Sequence, residues 1–328
     1  MDIKAIQGFL GEAWNLTKKR IYDTLESDIE LLNSTNESIL SHSGKQMRPI
    51  LTLLMARACS PDEVNDAAIS YSAAADLLHN ATLLHDDVAD GSDKRRGEPT
   101  IMSLMGPSVS VLVGDYWLVK AMELILNVED AGSSGVMKIF AKTLSDLAEG
   151  EMLQLQKAQS GDTSEEDYLK IIYNKTASLF EASCVSAAIS VNAPEAYVRA
   201  AKEYAVALGL AFQIQDDILD YSGTDVVGKP LGADILEQKI TMPLLGALAN
   251  VPDDKAGEIR RMIKDIAGHP EYRDVIVSFV KENGGLEYAV SRLKEYVEAA
   301  VSALDVLPES EAKDYLVELA YYTADRIL

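Results

Sequence analysis

Two groups of aspartates carry the strongest chemical signal in this sequence of 328 residues. Both have the pattern DDxxD, at Asp86–Asp90 (DDVAD) and at Asp216–Asp220 (DDILD). On a helix, with roughly 100° between successive residues, the first and last aspartates of each group lie about 40° apart and share one face. Carboxylates this close repel one another unless a cation lies between them. Because Mg²⁺ prefers hard oxygen ligands and shares its coordination shell with substrate phosphates, the two aspartate clusters predict metal-assisted binding of a phosphorylated substrate.

The alternative interpretation is a pair of solvated acidic faces in an acidic protein. At the frequency of aspartate in this chain, chance alone gives roughly 0.2 DDxxD matches, so a single match would be weak and two are not. Each cluster also follows a long, largely apolar stretch, where a purely solvated acidic face is least expected. The metal interpretation is therefore favoured.

Basic residues flank both clusters in the sequence. Each one alone also fits an ordinary surface charge, but together they place cations next to both metal-type clusters, which is how proteins hold diphosphates. These residues are Lys45, Arg48, Arg95, Arg96, Lys229 and Lys239. His79 lies about 20° from the helical face of Asp86 and is predicted to point into the same groove, with a core histidine as the alternative; His85 lies about 100° away.

No protein nucleophile is visible. The sequence has no Ser/His/Asp or Cys/His constellation, and GSDKRRG (91–97) is too poor in glycine for a phosphate-binding loop. The expected chemistry therefore uses metal ions to withdraw a diphosphate leaving group, and a cavity that manages the carbocation left behind.

The composition excludes several classes of function. With 30 Lys and Arg against 52 Asp and Glu, the net charge is −22, a field that repels nucleic acid. Only Cys59 and Cys184 occur, without a CxxC motif, which excludes a thiolate zinc site and a disulfide scaffold and indicates a reducing compartment. No apolar run approaches the length of a transmembrane segment, and the first residues do not form a signal peptide. We expect a cytoplasmic protein.

The elements that carry these residues are predicted to be long helices. Tyr71–Asp87 runs for nearly five turns without Gly or Pro and ends in the first cluster. A second helix begins at Asn192–Pro194, where proline suits the first turn, and continues to Tyr221, through the second cluster. A third opens at Thr163, with Glu166 as its capping-box partner.

The rest of the pattern is also helical. Ser108–Val113 alternates like a strand, but no second strand pattern exists to pair with it, so we predict a helix there. Loops are predicted at 91–100, 222–234, 251–255 and 268–271. Because no repeat, low-complexity segment or linker divides the chain, we predict an all-α protein with a single domain over residues 1–328.

Seven segments of the chain, taken in order, resemble the trans-polyprenyl diphosphate synthases of the isoprenoid family. They run from about residue 40 to about residue 245 in the family's order, which makes the resemblance specific. They are GKQMRP (44–49), LLHNATLLHDDVADGSDKRRGEPT (77–100), VLVGDYWL (111–118), GEMLQL (150–155), KTA (175–177), FQIQDDILD (212–220) and GKPLGADILEQKITMPL (228–244).

The resemblance implies a fold and a reaction. The fold is one polyprenyl synthetase domain, a helical bundle around a deep central cavity, present as a homodimer. The reaction condenses isopentenyl diphosphate head to tail with an allylic diphosphate (dimethylallyl, geranyl or farnesyl diphosphate) to give an all-trans polyprenyl diphosphate. The allylic diphosphate ionises, the isopentenyl double bond attacks the cation, and the departing diphosphate removes the proton.

The resemblance also implies a role for each site residue. Three Mg²⁺ ions bridge the allylic diphosphate to Asp86, Asp90 and Asp216, and they are supported directly or through water by Asp87, Asp217 and Asp220. The allylic diphosphate site comprises Arg95, Lys175, Thr176, Gln213, Lys229 and Lys239. Among these, Lys175 and Gln213 are also catalytic, the dipoles of Thr176 and Gln213 face the cation, and Phe212 packs nearby. The isopentenyl diphosphate site comprises Lys45, Arg48, His79 and Arg96.

One position departs from the family's pattern. Gln238 stands where the family often has glycine before the lysine. It adds bulk beside Lys239, and the departure puts only the geometry of that lysine in question.

Product length is predicted from the helix that precedes the first cluster. Thr82 and Ala81, four and five residues before Asp86, are small, so no aromatic residue caps the cavity early and a short C15 product is disfavoured. Leu78, Ala75 and Tyr71 lie further along the same face, and Tyr71 is about 22 Å below Asp86. An ordinary core residue is the alternative for Tyr71, and the resemblance offers Met137 and Phe140 as another cavity floor. We predict a C25–C40 product.

Three other functions remain as alternatives. A geranylgeranyl (C20) diphosphate synthase differs only in product length. A class I terpene cyclase would usually carry one DDxxD with a different second metal motif, and it would not need the basic segment GKQMRP. A non-catalytic regulatory subunit would typically have lost one aspartate cluster, whereas both are complete here.

Overall fold

A computed structural model describes residues 2–42, 44–60, 64–95, 97–129, 133–222 and 231–325. Within these ranges the chain is almost entirely helical, which confirms the all-α fold class. The aspartate clusters lie on two long helices, α4 (Asp66–Ala89) and α10 (Glu195–Ser222), and each cluster is at the C-terminal end of its helix. Both helices were predicted.

The remaining elements complete a chain of short and long helices. Before α4 come α1 (Ile3–Leu25), α2 (Glu30–Ser41) and α3 (Met47–Cys59). Between α4 and α10 lie the strands β1 (Lys94–Arg95) and β2 (Glu98–Pro99), then α5 (Ile101–Met105), α6 (Pro107–Leu126), α7 (Ser133–Ser160), α8 (Glu165–Ile172), a π-helical turn (Tyr173–Ala177) and α9 (Ser178–Ser190). After α10 come α11 (Ala233–Leu236), α12 (Met242–Ala249), α13 (Asp253–Lys264), α14 (Tyr272–Glu282), α15 (Gly285–Ala303), a 3₁₀ turn (Leu304–Val306) and α16 (Glu311–Asp325).

One compact unit is formed by residues 1–141, 179–202 and 305–316. In it α4 packs against α1, α3 and α6. The helix α3 is apolar and buried around its whole circumference from Pro49 to Ala56, as expected for a helix in the interior of a core. The largest fully buried side chain is Trp117, whose indole N–H donates to Asn36 Oδ1 at 2.7 Å, so its polar edge is satisfied inside the core.

The last turns of α4 are held closely against α6. Ser110 Oγ donates to the Leu84 carbonyl oxygen at 2.8 Å. One turn further along α6, Gly114 faces the His85 ring, and a Cβ on that glycine would lie 2.5 Å from His85 Nε2. The end of α4 that carries the first aspartate cluster is therefore fixed by contacts that a larger residue at position 114 would displace.

A second compact unit is formed by residues 142–178, 203–304 and 317–328. In it α12 is buried along its whole length and packs against α8, α14 and α15. Gly285 at the start of α15 allows the closest approach, since a Cβ there would lie 2.2 Å from the Pro243 carbonyl oxygen. Tyr288 on α15 also contacts α8, because its hydroxyl donates to Glu165 Oε2 at 2.6 Å.

Three local predictions need correction. The capping box of α8 is one residue further along than predicted: Ser164 Oγ accepts from the Asp167 amide and Asp167 Oδ2 from the Ser164 amide. The Thr163 carbonyl oxygen instead accepts from the Arg260 guanidinium, which holds Thr163 outside the helix. The predicted loop 91–100 contains the β1–β2 hairpin, and α13 begins inside the predicted loop 251–255.

Candidate active site

The first aspartate cluster lies where α4 ends and the β1–β2 hairpin turns back. Asp87 is buried, and its Oδ1 accepts from both Nε and Nη2 of Arg95, each at 2.9 Å. Burial raises the pKa of Asp87, and the Arg95 guanidinium opposes that rise. Asp86 is half-buried, and Asp90, which caps the helix, is exposed. The exposure of the three carboxylates thus differs: Asp87 is buried, Asp86 is half-buried and Asp90 is exposed.

The second cluster has the same order of burial but different partners. Asp217 is buried; its Oδ2 accepts from the Tyr168 hydroxyl at 2.5 Å and its Oδ1 from Gln213 Nε2 at 3.0 Å. Burial raises the pKa of Asp217 well above its usual range, and the nearby charge of Asp234 adds to the rise. Asp216 is half-buried.

The last aspartate of the second cluster is tied to the main chain. Asp220 Oδ1 accepts from the Ala233 amide at 3.0 Å, and Asp220 Oδ2 accepts from the Asp234 amide at 3.2 Å. The Asp220 carbonyl oxygen also accepts from the Gly232 amide at 2.9 Å. Asp220 therefore caps the start of α11 and orients the segment that leads to Lys239.

The π-helical turn carries two predicted site residues, Lys175 and Thr176. Lys175 Nζ is paired with Glu151 Oε2 on α7 at 2.6 Å. Thr176 Oγ1 donates to Gln213 Oε1 at 3.0 Å, and the amide of the same glutamine donates to Asp217. The structure thus joins Thr176, Gln213 and the second cluster in one chain of hydrogen bonds, which fixes the rotamer of Gln213.

Three of the four residues predicted for isopentenyl diphosphate are described, and Arg96 lies outside the described residues. Lys45 is exposed, and Arg48 and His79 are half-buried. The Arg48 guanidinium lies 5.0 Å from the centroid of the Phe180 ring, a cation–π distance.

The segment that carries Lys45 and Arg48 is held by the residue between them. Gln46 precedes α3 with a left-handed backbone (φ 50°), and its Nε2 donates to Asp76 Oδ2 on α4 at 2.9 Å. Asp76 itself is buried. The contact anchors this basic segment to the helix that carries the first cluster.

Of the two lysines predicted around the loop after the second cluster, Lys229 lies outside the described residues and Lys239 is described. Lys239 forms an ion pair with Glu237. Gln238 has a left-handed backbone (φ 60°), and its Nε2 donates to the Lys264 carbonyl oxygen at 2.8 Å. Glycine adopts this backbone conformation most easily, which explains why the family often has glycine at this position. Gln238 adopts the same conformation, and its side chain is hydrogen-bonded to α13.

The sequence of this chain is similar to one family of known proteins over most of its length. Residues 29–279 match the polyprenyl synthetase family. The chain belongs to the polyprenyl synthetase family. It is 38% identical to an octaprenyl diphosphate synthase of Haemophilus influenzae over 99% of this chain and 98% of that protein. It is 38% identical to an all-trans-nonaprenyl-diphosphate synthase (geranyl-diphosphate specific) of Rhodobacter capsulatus over 94% and 93% of the two chains.

A solved structure supports the same assignment. A decaprenyl diphosphate synthase from Rhodobacter capsulatus superimposes with a TM-score of 0.92 at 33% identity, covering 100% of both chains. Together these comparisons confirm the resemblance found in the motifs, the all-α fold and the class of trans-polyprenyl diphosphate synthases. Among the described helices, none is long and apolar enough to cross a membrane.

The donor chemistry of the clusters fits the magnesium expected in a polyprenyl synthetase. Asp87 and Asp217 are buried, whereas Asp86 and Asp216 are half-buried and Asp90 is exposed. Within the described ranges, no three acidic, histidine or cysteine side chains are gathered as a preformed metal site. Oxygen ligands contributed by a bound diphosphate would complete such a shell.

The residues predicted to set product length form a continuous part of α4. Tyr71, Ala75, Leu78 and Ala81 are fully buried, and Thr82 is half-buried with its hydroxyl donating to the His79 carbonyl oxygen at 2.8 Å. Of the alternative floor residues, Phe140 is fully buried and Met137 is half-buried. Their roles stay predictions.

Two site residues were not identified from the sequence. Tyr168, which donates to Asp217, lies 49 positions before it, and no local pattern connects them. Glu151, the partner of Lys175, belongs to the segment GEMLQL, which contributed to the resemblance but carried no assigned role. An acidic residue inside a family segment was the available signal for Glu151.

Proposed function

We propose that this chain condenses isopentenyl diphosphate head to tail with an allylic diphosphate, releases diphosphate and so elongates an all-trans polyprenyl diphosphate. The observation that carries the proposal is the arrangement of the two complete DDxxD clusters. In each, the middle aspartate is buried and hydrogen-bonded within the protein, and the first is half-buried at the end of a long helix. Clustered carboxylate oxygens at a helix end suit the oxygen-rich shell of Mg²⁺.

Each site residue has a task in this reaction. Mg²⁺ bound by Asp86, Asp90 and Asp216 would draw negative charge from the allylic diphosphate as it leaves. The resemblance to the family implies three such ions. Lys175 and Lys239 bind the same diphosphate, each from a side chain already oriented by a glutamate. Thr176 and Gln213 present oxygen dipoles to the allylic cation, and their mutual hydrogen bond keeps them in place. No protein nucleophile takes part.

Two arginines predicted to bind the substrate diphosphates have neighbours that hold their guanidinium groups in place. Arg95 is held by Asp87, so its remaining N–H groups are directed from a fixed position. Arg48 is oriented by the Phe180 ring and by its place in the segment anchored through Gln46. Both residues offer the planar donor arrangement that suits phosphate.

The proposed product is long, at or above the C40 end of the predicted C25–C40 range. The support is the size of Ala81 and Thr82, together with relatives named octaprenyl and nonaprenyl diphosphate synthases. Thr82→Phe should shorten the products, because the ring would project into the path of the growing tail. Thin-layer analysis of dephosphorylated products tests this, with Gly257→Phe on α13, where a Cβ would meet nothing within 4 Å, as the control for an added aromatic ring. A wild-type product that ends at C15 or C20 would refute the length assignment.

We include a homodimer in the proposal. Three exposed apolar residues on α6, Leu112, Val119 and Leu126, are spaced seven apart and form one stripe along the helix. Leu104 and Met105 on α5 add to the exposed apolar surface of the same unit. Light scattering of the purified protein should report a dimer, and Val119→Glu should yield monomer. A wild-type monomer would overturn this part.

One incubation tests the reaction itself. Purified protein is mixed with Mg²⁺, labelled isopentenyl diphosphate and farnesyl diphosphate. Chain elongation supports the proposal, whereas a cyclic hydrocarbon would identify a class I terpene cyclase. No turnover by the purified protein would identify a regulatory subunit. A cytoplasmic location stays a prediction, and fractionation of cells that express the protein would check it.

A further inference from the structure

The π-helical turn at Tyr173–Ala177 is the one irregular turn that carries predicted site residues in the described part of the chain. A π turn contains one more residue than an α turn, has poorer backbone geometry, and is found most often at functional sites. It therefore needs support from its surroundings.

Two glycines on neighbouring helices provide that support. On α7, a Cβ at Gly150 would lie 2.7 Å from Asn174 Cβ and 3.2 Å from the Lys175 backbone nitrogen. On α10, a Cβ at Gly209 would lie 2.6 Å from Ala177 Cα and 2.7 Å from Ala177 Cβ. Carbon atoms do not approach so closely, so both helices reach the turn only because these residues lack a side chain.

Each glycine lies next to the residue that contacts the turn. Gly150 directly precedes Glu151, whose carboxylate pairs with Lys175 Nζ at 2.6 Å. On α10, Gly209 lies one turn before Gln213, which accepts from Thr176. One turn later Asp217 accepts from the same glutamine. The close approach at each glycine therefore sets the length of the hydrogen bonds and the ion pair beside it.

We propose that Gly150 and Gly209 are positioning residues for the proposed prenyl transfer. They let α7 and α10 close on the π turn from two sides, Gly150 setting the position of the Lys175 ammonium and Gly209 that of the Thr176–Gln213 pair. The inference rests on the proposed function. It adds two residues that contact no substrate and act through others.

The test compares the steady-state kinetics of alanine substitutions at Gly150 and Gly209, where a Cβ would clash, with those of a substitution at a glycine that has space for a Cβ. Gly150→Ala should raise the KM for the allylic diphosphate by about tenfold and leave the KM for isopentenyl diphosphate within about twofold, because Lys175 moves away from its diphosphate. Gly209→Ala should mainly lower kcat, by about tenfold or more, since it displaces the dipoles that face the cation. Gly257→Ala on α13, where a Cβ meets nothing within 4 Å, is the matched control and should behave as wild type.

A purely structural role would lower the melting temperature and the active fraction without separating the two substrates. The kcat of Gly209→Ala is therefore calculated per active site, titrated by binding of the allylic diphosphate. Equal changes in both KM values for Gly150→Ala, or a kcat per active site of Gly209→Ala equal to that of wild type, would overturn the proposal. If a glycine variant does not fold, Glu151→Gln provides the second test, because it keeps Gly150 and removes only the charge that holds Lys175. It should raise the KM for the allylic diphosphate, and an unchanged KM would also overturn the proposal. A wild-type protein without prenyl transfer would instead refute the proposed function.

Discussion

The two aspartate clusters have the same five-residue pattern and nearly opposite supports. At the end of α4, the buried Asp87 is neutralised by a cation, Arg95, which returns on a two-residue hairpin strand. At the end of α10, the buried Asp217 accepts from two neutral donors, Tyr168 on α8 and Gln213 one turn earlier on α10 itself. The last residues differ too: Asp90 is an exposed helix cap, and Asp220 is bonded to two backbone amides.

This difference shows that one motif can be supported in two ways. The second cluster is held by neutral hydrogen bonds and by the main chain, which salt screens little. The first depends on a partly exposed ion pair, and its last aspartate lies at a helix end. Salt should therefore weaken the support of the first cluster more than that of the second.

The largest expected effect removes either accessible aspartate. Asp86→Ala and Asp216→Ala should each lower turnover by about three orders of magnitude or more, because metal-assisted ionisation is lost, while the circular dichroism spectrum is unchanged. Chelation of divalent cations should abolish wild-type activity in the same assay. Near-normal turnover by one variant alone would mean that only the other cluster serves the metal.

A second test asks whether the surroundings of the clusters serve different substrates. Arg48→Ala should chiefly raise the KM for isopentenyl diphosphate, and Lys175→Ala should act mainly through the allylic substrate, each by about ten- to a hundredfold because one charged contact is lost. Steady-state kinetics with each substrate varied in turn measure this. If every variant affects both substrates equally, the division into two diphosphate sites is wrong.

The two middle aspartates should differ in their effect on stability. Asp87→Asn leaves the Arg95 guanidinium without its charged partner and should lower the free energy of unfolding by about 1 kcal/mol, a value discounted for the exposure of Arg95. Asp217→Asn should change it by less than about 0.5 kcal/mol, because its donors are neutral and the amide still accepts a hydrogen bond. Urea unfolding without divalent cations is the measurement, and the reverse order would contradict the comparison.

A stability effect of similar size is expected in the segment that follows the second cluster. Gln238→Ala keeps the left-handed backbone and loses the bond to the Lys264 carbonyl oxygen, so it should lower the free energy of unfolding by about 1 kcal/mol. Gln238→Gly loses the same bond but relieves the backbone, and should be within about 0.5 kcal/mol of wild type. Two equally destabilised variants in thermal unfolding would show that the backbone contributes nothing.

The sequence predicted the clusters, their helices and the family, because those depend on local spacing and on ordered motifs. It did not predict the partners of the buried aspartates. Arg95 and Gln213 are near them in the sequence, but Tyr168 reaches Asp217 across 49 positions. The capping box shows a finer limit. Thr163 with Glu166 matches the usual capping-box residues better than Ser164 with Asp167, yet the structure uses the second pair. The Thr163 carbonyl oxygen accepts from Arg260, a distant contact that no local pattern indicates.

The same limit applies to Gln238. Family resemblance marked the position as unusual, but only the backbone angle explains why glycine is common there. The Lys264 carbonyl oxygen that accepts from its side chain is 26 positions away in the sequence.

The π turn at Tyr173–Ala177 also has a consequence for how this chain can change its length in evolution. A π turn is an α-helix with one residue inserted, so deleting a residue there would restore regular helix. The residues that follow would keep their facing, because the five residues of a π turn and the four that would replace them each advance by roughly 400° about the helix axis. A deletion in this stretch would therefore leave the direction of the α9 side chains unchanged and would remove only the widened turn that carries Lys175 and Thr176.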